Sequence, residues 1–324
     1  MNREQIDAYL LRWDADGFNQ RQTRRMHTRP ARALKQNGRP NDAGGVRQRL
    51  NGIVRKTPQA MVRISGGGRG MRRIRAHLDY ISRHGQLPLE DQDGERYVGK
   101  DDLAWLGYAW QNGGTPIPDE SGRREALNIV LSMPAGTDAQ SLQRAARDFA
   151  REEFSGHQYA MALHTYLDDP AKEPSPHPHV HLCVKIADEE GRRLNPRKED
   201  LRRWRERFAG RLHERGIDAA ASSRLERFQP KRGTSQGLHH LQARGAALFS
   251  GTTKADRAAL HEHSRRHEAA MLHRYASIAR ILASADDASD RLLAVGLVNL
   301  CQRAMGLPVE RERAASHERQ LRER

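Results

Sequence analysis

His177-Pro178-His179-Val180-His181-Leu182-Cys183-Val184-Lys185-Ile186 sets three imidazoles at alternate positions and runs straight on into an alternating apolar segment. A β-strand repeats every two residues, so His179 and His181 point to one face. Val180, Leu182, Val184 and Ile186 then fill the opposite, buried face. Paired imidazoles on one strand face suit a divalent metal, provided a further ligand arrives from elsewhere. His177 has the same parity but precedes Pro178, which assigns it to the loop as a supporting residue rather than a ligand.

The further ligand is expected upstream. Gln158 to Leu167 reads as another strand, with Tyr159, Met161 and Leu163 on one face and His164 on the other, beside the small residues Ala160 and Ala162. Asp168 to Pro176 is polar and proline-containing, as a loop between antiparallel neighbours would be. Pairing the two strands across it brings His164 to His179 and His181. Asp168 and Asp169, next in the chain, are candidates to orient a ligand through its second ring nitrogen.

Outward from this pair, Met61 to Ser65 and Leu127 to Met133 read as strands, and Met71 to His84 as a helix closed by Gly85. Ile74, Leu78 and Ile81 form its buried stripe. Asp138 to Glu153 reads as a helix with Leu142, Ala145, Ala146 and Phe149 inward, and Glu199 to Arg215 as a basic amphipathic helix ended by Gly216. Strands and helices mix without strict alternation, so the fold class is α+β, an antiparallel sheet flanked by helices. Residues 1–56 hold thirteen Lys/Arg against five Asp/Glu and few apolar residues after Phe18, which predicts a basic, partly disordered N-terminal arm. Residues 57–228 form the central domain. Residues 229–324, rich in Ala, Arg, His and Glu, read as a basic helical extension with frayed ends.

The chain has 324 residues, a formal charge of +15, a pI near 10.4 and a mean hydropathy of −0.86. This excess of positive charge points to nucleic acid rather than to an anionic membrane. Leu292 to Cys301 is the longest apolar candidate, well short of the ~20 residues a spanning helix needs, so no membrane insertion is expected. The start of the chain lacks a basic-then-apolar secretion pattern. Cys183 and Cys301, far apart, make no disulfide framework, and a reducing cytoplasm is the expected compartment.

Tyr80 lies in Arg75-Ala76-His77-Leu78-Asp79-Tyr80-Ile81-Ser82-Arg83-His84-Gly85. At helical spacing, Arg73, His77, Tyr80 and His84 share one face away from the apolar stripe. A phenol titrates near 10 in water, so nucleophilic use requires a base, a cation or a metal nearby. Tyr97, Tyr108 and Tyr166 are the competitors, and Tyr108 beside Trp105 and Trp110 reads as packing.

These residues resemble the conjugative relaxases, or mobilisation nucleases, of the HUH endonuclease superfamily, and most closely the single-tyrosine P-type mobilisation branch. His77-Leu78-Asp79-Tyr80-Ile81-Ser82-Arg83 looks like the tyrosine motif, Ala162-Leu163-His164-Thr165 like the strand of the first metal histidine, and His177 to His181 like the histidine-hydrophobe-histidine motif. Leu194 to Leu201 and Trp204 to Phe208 are also similar to relaxase sequence. The resemblance covers roughly residues 60–225. Related motifs often carry Asp two residues after the first histidine, where this chain has Tyr166.

The resemblance implies a metal-dependent, strand-specific DNA nickase. His164, His179 and His181 would hold Mg²⁺ or Mn²⁺, and Tyr80 would attack a phosphodiester at a transfer origin, leaving a 5′-phosphotyrosyl link. Arg72, Arg73, Arg75, Arg83, Arg197 and Lys198 are the candidate phosphate contacts. Single-stranded DNA is the implied partner, with accessory relaxosome proteins, a secretion coupling protein and passage to a recipient cell. The competing expectations are a rolling-circle replication initiator with the same chemistry, a DNA-binding adaptor that no longer cuts, and a zinc-stabilised nucleic-acid-binding domain.

Overall fold

The computed structural model describes residues 1–23, 43–229 and 254–307. Along the chain run α1 (Arg3–Thr23), α2 (Ala43–Val54), β1 (Met61–Gly66), α3 (Met71–Ile81), β2 (Leu89–Asp91), β3 (Arg96–Tyr97), α4 (Gly99–Asn112), β4 (Ala126–Ser132), α5 (Ala139–Glu153), β5 (Tyr159–His164), β6 (His179–Lys185), α6 (Lys198–Glu214), α7 (Lys254–Ala283) and α8 (Ala288–Ala304). The described residues form two compact units. One spans residues 57–221, and the other is built from the chain up to Lys56 and from Ser222 onward.

The unit of residues 57–221 is α+β, with one antiparallel sheet in the order β1-β4-β6-β5-β2-β3. The alternating run after His179 becomes β6, an interior strand between β4 and β5. Its register sets Leu182 opposite Met161 of β5 and Ile129 of β4. Val180, Leu182 and Val184 point with Leu127, Ile129, Leu131, Tyr159 and Met161 into a core shared with α5 and α6. Each such side chain, fully buried, contributes about 1.5–3 kcal/mol. The Asp138 carboxylate caps α5 by accepting from Ser141 N at 2.7 Å. Glu153 near the end of α5 accepts from Trp204 Nε1 at 2.6 Å and Arg203 Nη2 at 3.0 Å of α6.

The other sheet face carries Ala126, Ala160, Ala162 and Cys183. Met71, Ile74, Leu78 and Ile81 of α3 cover it, with Leu106 and Trp110 of α4. Small sheet residues let α3 sit close to this face. The helix stops at Ile81, earlier than the expected His84, because Arg83, His84 and Gly85 all take left-handed backbone conformations. Gly85 is needed there: a Cβ on it would meet the Gly99 backbone at 2.7 Å.

One expectation is corrected. Trp110 is buried, but Trp105 (62% exposed) and Tyr108 (58% exposed) stack on each other at the surface, so Tyr108 does not pack inside. Of the basic, partly disordered arm expected over 1–56, the described part forms two helices, and residues 24–42 lie outside the described residues. Ile6 and Leu10 of α1 and Val46, Leu50 and Ile53 of α2 share a core with Tyr275, Ile278 and Leu282 of α7 and Leu293, Leu297 and Leu300 of α8. Few apolar residues suffice because they fall at helical spacing and find distant partners in sequence. Of the expected extension, 254–304 is helical across α7 and α8, and its terminal stretches lie outside the described residues. No helix among the described residues is long and apolar enough to cross a membrane.

Candidate active site

The register of β5 against β6 sets His164 opposite His179 and Ala162 opposite His181, so all three imidazoles leave the sheet on one face. Their ring centroids lie 4.7–5.1 Å apart, and one ring nitrogen of each falls within 4.8 Å of the others. The three are the potential metal-holding group among the described residues.

The hydrogen bonds decide which nitrogens are free. His179 Nδ1 lies 2.9 Å from the carbonyl of His177. A carbonyl only accepts, so Nδ1 carries a proton, which leaves Nε2 as the nitrogen available to a ligand. His164 Nε2 donates in the same way to Ile81 O at 2.7 Å, and its Nδ1 lone pair faces Arg83 Nη2 at 3.1 Å, so an ion at His164 would take that nitrogen in place of the Arg83 N–H. His181 Nδ1 is buried with no hydrogen-bond partner, an orphaned donor atom inside the cluster. Burial holds the His164 imidazole down at about 4 and the His181 imidazole at about 3, the latter also lowered by its neighbouring histidines. Neutral His164 and His181 rings beside His179 fit a divalent cation.

These depressed values have a thermodynamic sign. An imidazole whose folded pKa lies below the unfolded value of about 6.5 binds more protons when unfolded. Its contribution to stability is complete above that value and is lost as the pH falls towards 4. The unit of residues 57–221 therefore unfolds at lower urea concentration at pH 5 than at pH 7. An equal midpoint at the two pH values would show that these rings are not neutral in the fold.

Tyr80 projects from the last turn of α3 and is 55% exposed. Its ring lies 6.2 Å from that of His181, edge to face, and 6.2 Å from His77, which is stacked beside it. His77 in turn meets His181 at 6.4 Å, with its Nε2 buried and unpartnered, and burial lowers it to about 4. The helical spacing of His77 and Tyr80 carried this neighbour in the sequence. His84 does not join that face: beyond the end of α3, its Nδ1 pairs with Asp79 at 2.6 Å.

The two supporting acids separate. Asp169 is buried, pairs with Arg83 at 2.7 Å and lies 3.2 Å from His164 Nδ1. The Arg83 hydrogen bond holds its carboxyl far below the usual range. Asp168 is exposed and accepts instead from Thr165 at 2.7 Å. His177 is exposed, with its Nδ1 accepting from Ala135 N at 3.0 Å, outside the cluster.

Among the candidate phosphate contacts, Arg73, Arg197 and Lys198 are exposed. Arg72 pairs with Glu120 at 2.8 Å and Arg75 with Asp119 at 3.2 Å. Arg83 is committed to Asp169. The competing tyrosines lack a cluster: Tyr97 donates to Asp91 at 2.9 Å and is pushed up to about 12 by burial and that acid, while Tyr166 is exposed on the loop after β5.

Residues 109–217 match the family model for relaxases described as MobA/VirD2-like, nuclease domain. The match takes in all three histidines and begins past Tyr80. The T-DNA border endonuclease VirD2 of Agrobacterium fabrum is 32% identical over 143 residues, 39% of this chain and 30% of that protein. VirD2 of Rhizobium radiobacter is 30% identical over 198 residues, 56% of this chain and 46% of that protein. The chain thus spans less than half the length of these curated relatives.

Proposed function

We propose that the chain, whose residues 109–217 match the MobA/VirD2-like relaxase nuclease model, nicks one strand of DNA at a transfer origin and stays joined to the 5′ phosphate through Tyr80. The observation that carries this reading is the exposed Tyr80 ring against His181 of a three-imidazole cluster. Tyr80 Oη forms a bond to phosphorus, the P–O3′ bond breaks, and the phenolic proton leaves to solvent while the departing oxygen is protonated to a 3′ hydroxyl. His164, His179 and His181 would hold Mg²⁺ or Mn²⁺. When bound there, the ion supplies Lewis-acid stabilisation of charge on the phosphoryl oxygens. His77 and His181 wall the tyrosine ring, and Arg73, Arg197 and Lys198 supply positive charge for phosphates. Accessory relaxosome proteins and a secretion coupling protein complete the reading, with the joined strand as cargo to a recipient cell.

The test uses single-stranded oligonucleotides tiled across the origin of the element that encodes the chain, with Mg²⁺ or Mn²⁺, on denaturing gels. A covalent adduct on one strand and at one position is expected, and no adduct with any tile would sink the reading. His179→Ala should reduce nicking by about 10²–10³-fold, the scale of losing one electrostatic stabiliser, with DNA binding retained. Unchanged nicking in this variant would remove the cluster from the chemistry.

A further inference from the structure

Arg83 follows α3 in a left-handed conformation (φ 51°), as does His84 (φ 60°). Such backbone is strained for residues with a Cβ and persists only where contacts hold it. The turn sends the guanidinium back over the end of the helix, where it meets both halves of the site. Nε donates to Asp169 Oδ1 at 2.7 Å, and Nη2 to Asp169 Oδ2 at 2.8 Å. Nη1 donates to the Tyr80 carbonyl at 3.0 Å, and Nη2 lies 3.1 Å from His164 Nδ1. The Cζ atom sits 4.9 Å from the centre of the Tyr80 ring. Since His164 Nε2 already donates to Ile81 O, Nδ1 is the acceptor, and Arg83 is its donor.

We infer that Arg83 is a positioning residue, a fork that sets the Tyr80 ring and the His164 ring in one arrangement, and not a phosphate contact. Most of its N–H groups are consumed inside the protein, and its side chain is only 17% exposed. The planar fork matters: a lysine supplies the charge without the paired geometry on Asp169. The inference rests on the nicking reading for its consequence, but its geometry can be tested without any reaction.

The test compares the full chain with Arg83→Gln and Arg83→Lys. Nitrogen NMR of ¹⁵N-histidine-labelled protein at pH 8, without DNA or metal, should show the His164 Nδ1 resonance displaced in both variants and that of His213 unmoved. Binding of a single-stranded oligonucleotide in chelator should stay within about twofold with the same salt dependence, whereas losing a phosphate contact would reduce the salt slope by about one. Single-turnover adduct formation should fall about 100-fold in both variants, the scale expected when reacting groups are misplaced by about 1 Å. A static His164 resonance, a reduced salt slope, or full activity in Arg83→Lys would each overturn the inference. If the unaltered chain forms no adduct, the nicking reading fails, while the resonance and the salt slope still decide what Arg83 does.

Discussion

Tyr80→Phe abolishes the covalent protein–DNA adduct and leaves single-stranded DNA binding within about twofold. The substitution removes one oxygen and keeps the ring, so the stack on His77, the edge contact with His181 and the Arg83 guanidinium over the ring all survive. What is lost is the only atom proposed to attack phosphorus. Loss of a nucleophile whose partners remain in place costs about 10⁴-fold or more. The competitors are placed otherwise: Tyr97 is tied to Asp91, Tyr108 stacks on Trp105, and Tyr166 lies exposed on the loop after β5. Tyr97→Phe, Tyr108→Phe and Tyr166→Phe should retain the adduct. Its persistence in Tyr80→Phe on a denaturing gel would move the chemistry to another residue.

Asp290→Ala destabilises the helical unit by about 3–5 kcal/mol, the cost of leaving one member of a buried ion pair alone. Asp290 is 1% exposed and takes both prongs of Arg47, from Nε at 2.7 Å and from Nη2 at 2.8 Å. Arg47 also reaches Asp7 of α1, so one guanidinium ties α1, α2 and α8 together. Its proton is held more tightly than usual, first by the Asp290 hydrogen bond and against the opposing cost of burial. Hydrogen exchange reads the change locally. Amides of α2 and α8 should lose protection by the corresponding factor while those of β4 and β6 keep theirs. Uniform loss across both sets would mean that the two units unfold as one, and unchanged α2 would detach it from this core.

Where residue type and periodicity agreed, the sequence was read to near the final structure. β6 and β5 combine a period of two with histidines on one parity and β-branched or bulky apolar residues on the other. The same pattern yields strand, register and imidazole cluster together. α5 was legible for the same reason, having an N-capping Asp138 and apolar residues at helical spacing. Other parts carried no such double signal. β2 and β3 are three and two residues long, too short for alternation to register. α4 exposes Trp105 and Tyr108 while burying Gly107, which blurs its amphipathic pattern.

The N-terminal helices were hidden by the opposite effect. Their charge is conspicuous, but Arg49 is paired to Asp14 and Arg47 to Asp290, and composition cannot show pairing across 243 positions. Arg83 is grouped with the phosphate contacts on the same ground, whereas the structure pairs it with Asp169. Its destination depends on a left-handed turn, and nothing in Ser82-Arg83-His84 besides the following glycine announces one. Asp168 and Asp169 were equivalent on paper, and only the path of the loop separates the acid beside His164 from the one bonded to Thr165.

The placement of the imidazoles on an interior strand has a consequence for how a ligand is met. β6 is bonded along both edges, and opening it requires breaking the ladders to β4 and β5 together. Its amides should be among the last to exchange with heavy water. An incoming ion therefore finds donors already fixed and spends little of its binding free energy on ordering them. Tyr80 sits in the last turn of α3, which is closed by Ser82 N–H on Leu78 O, and its ring lies under Arg83, so the nucleophile, like the electrophilic side, is met already in place.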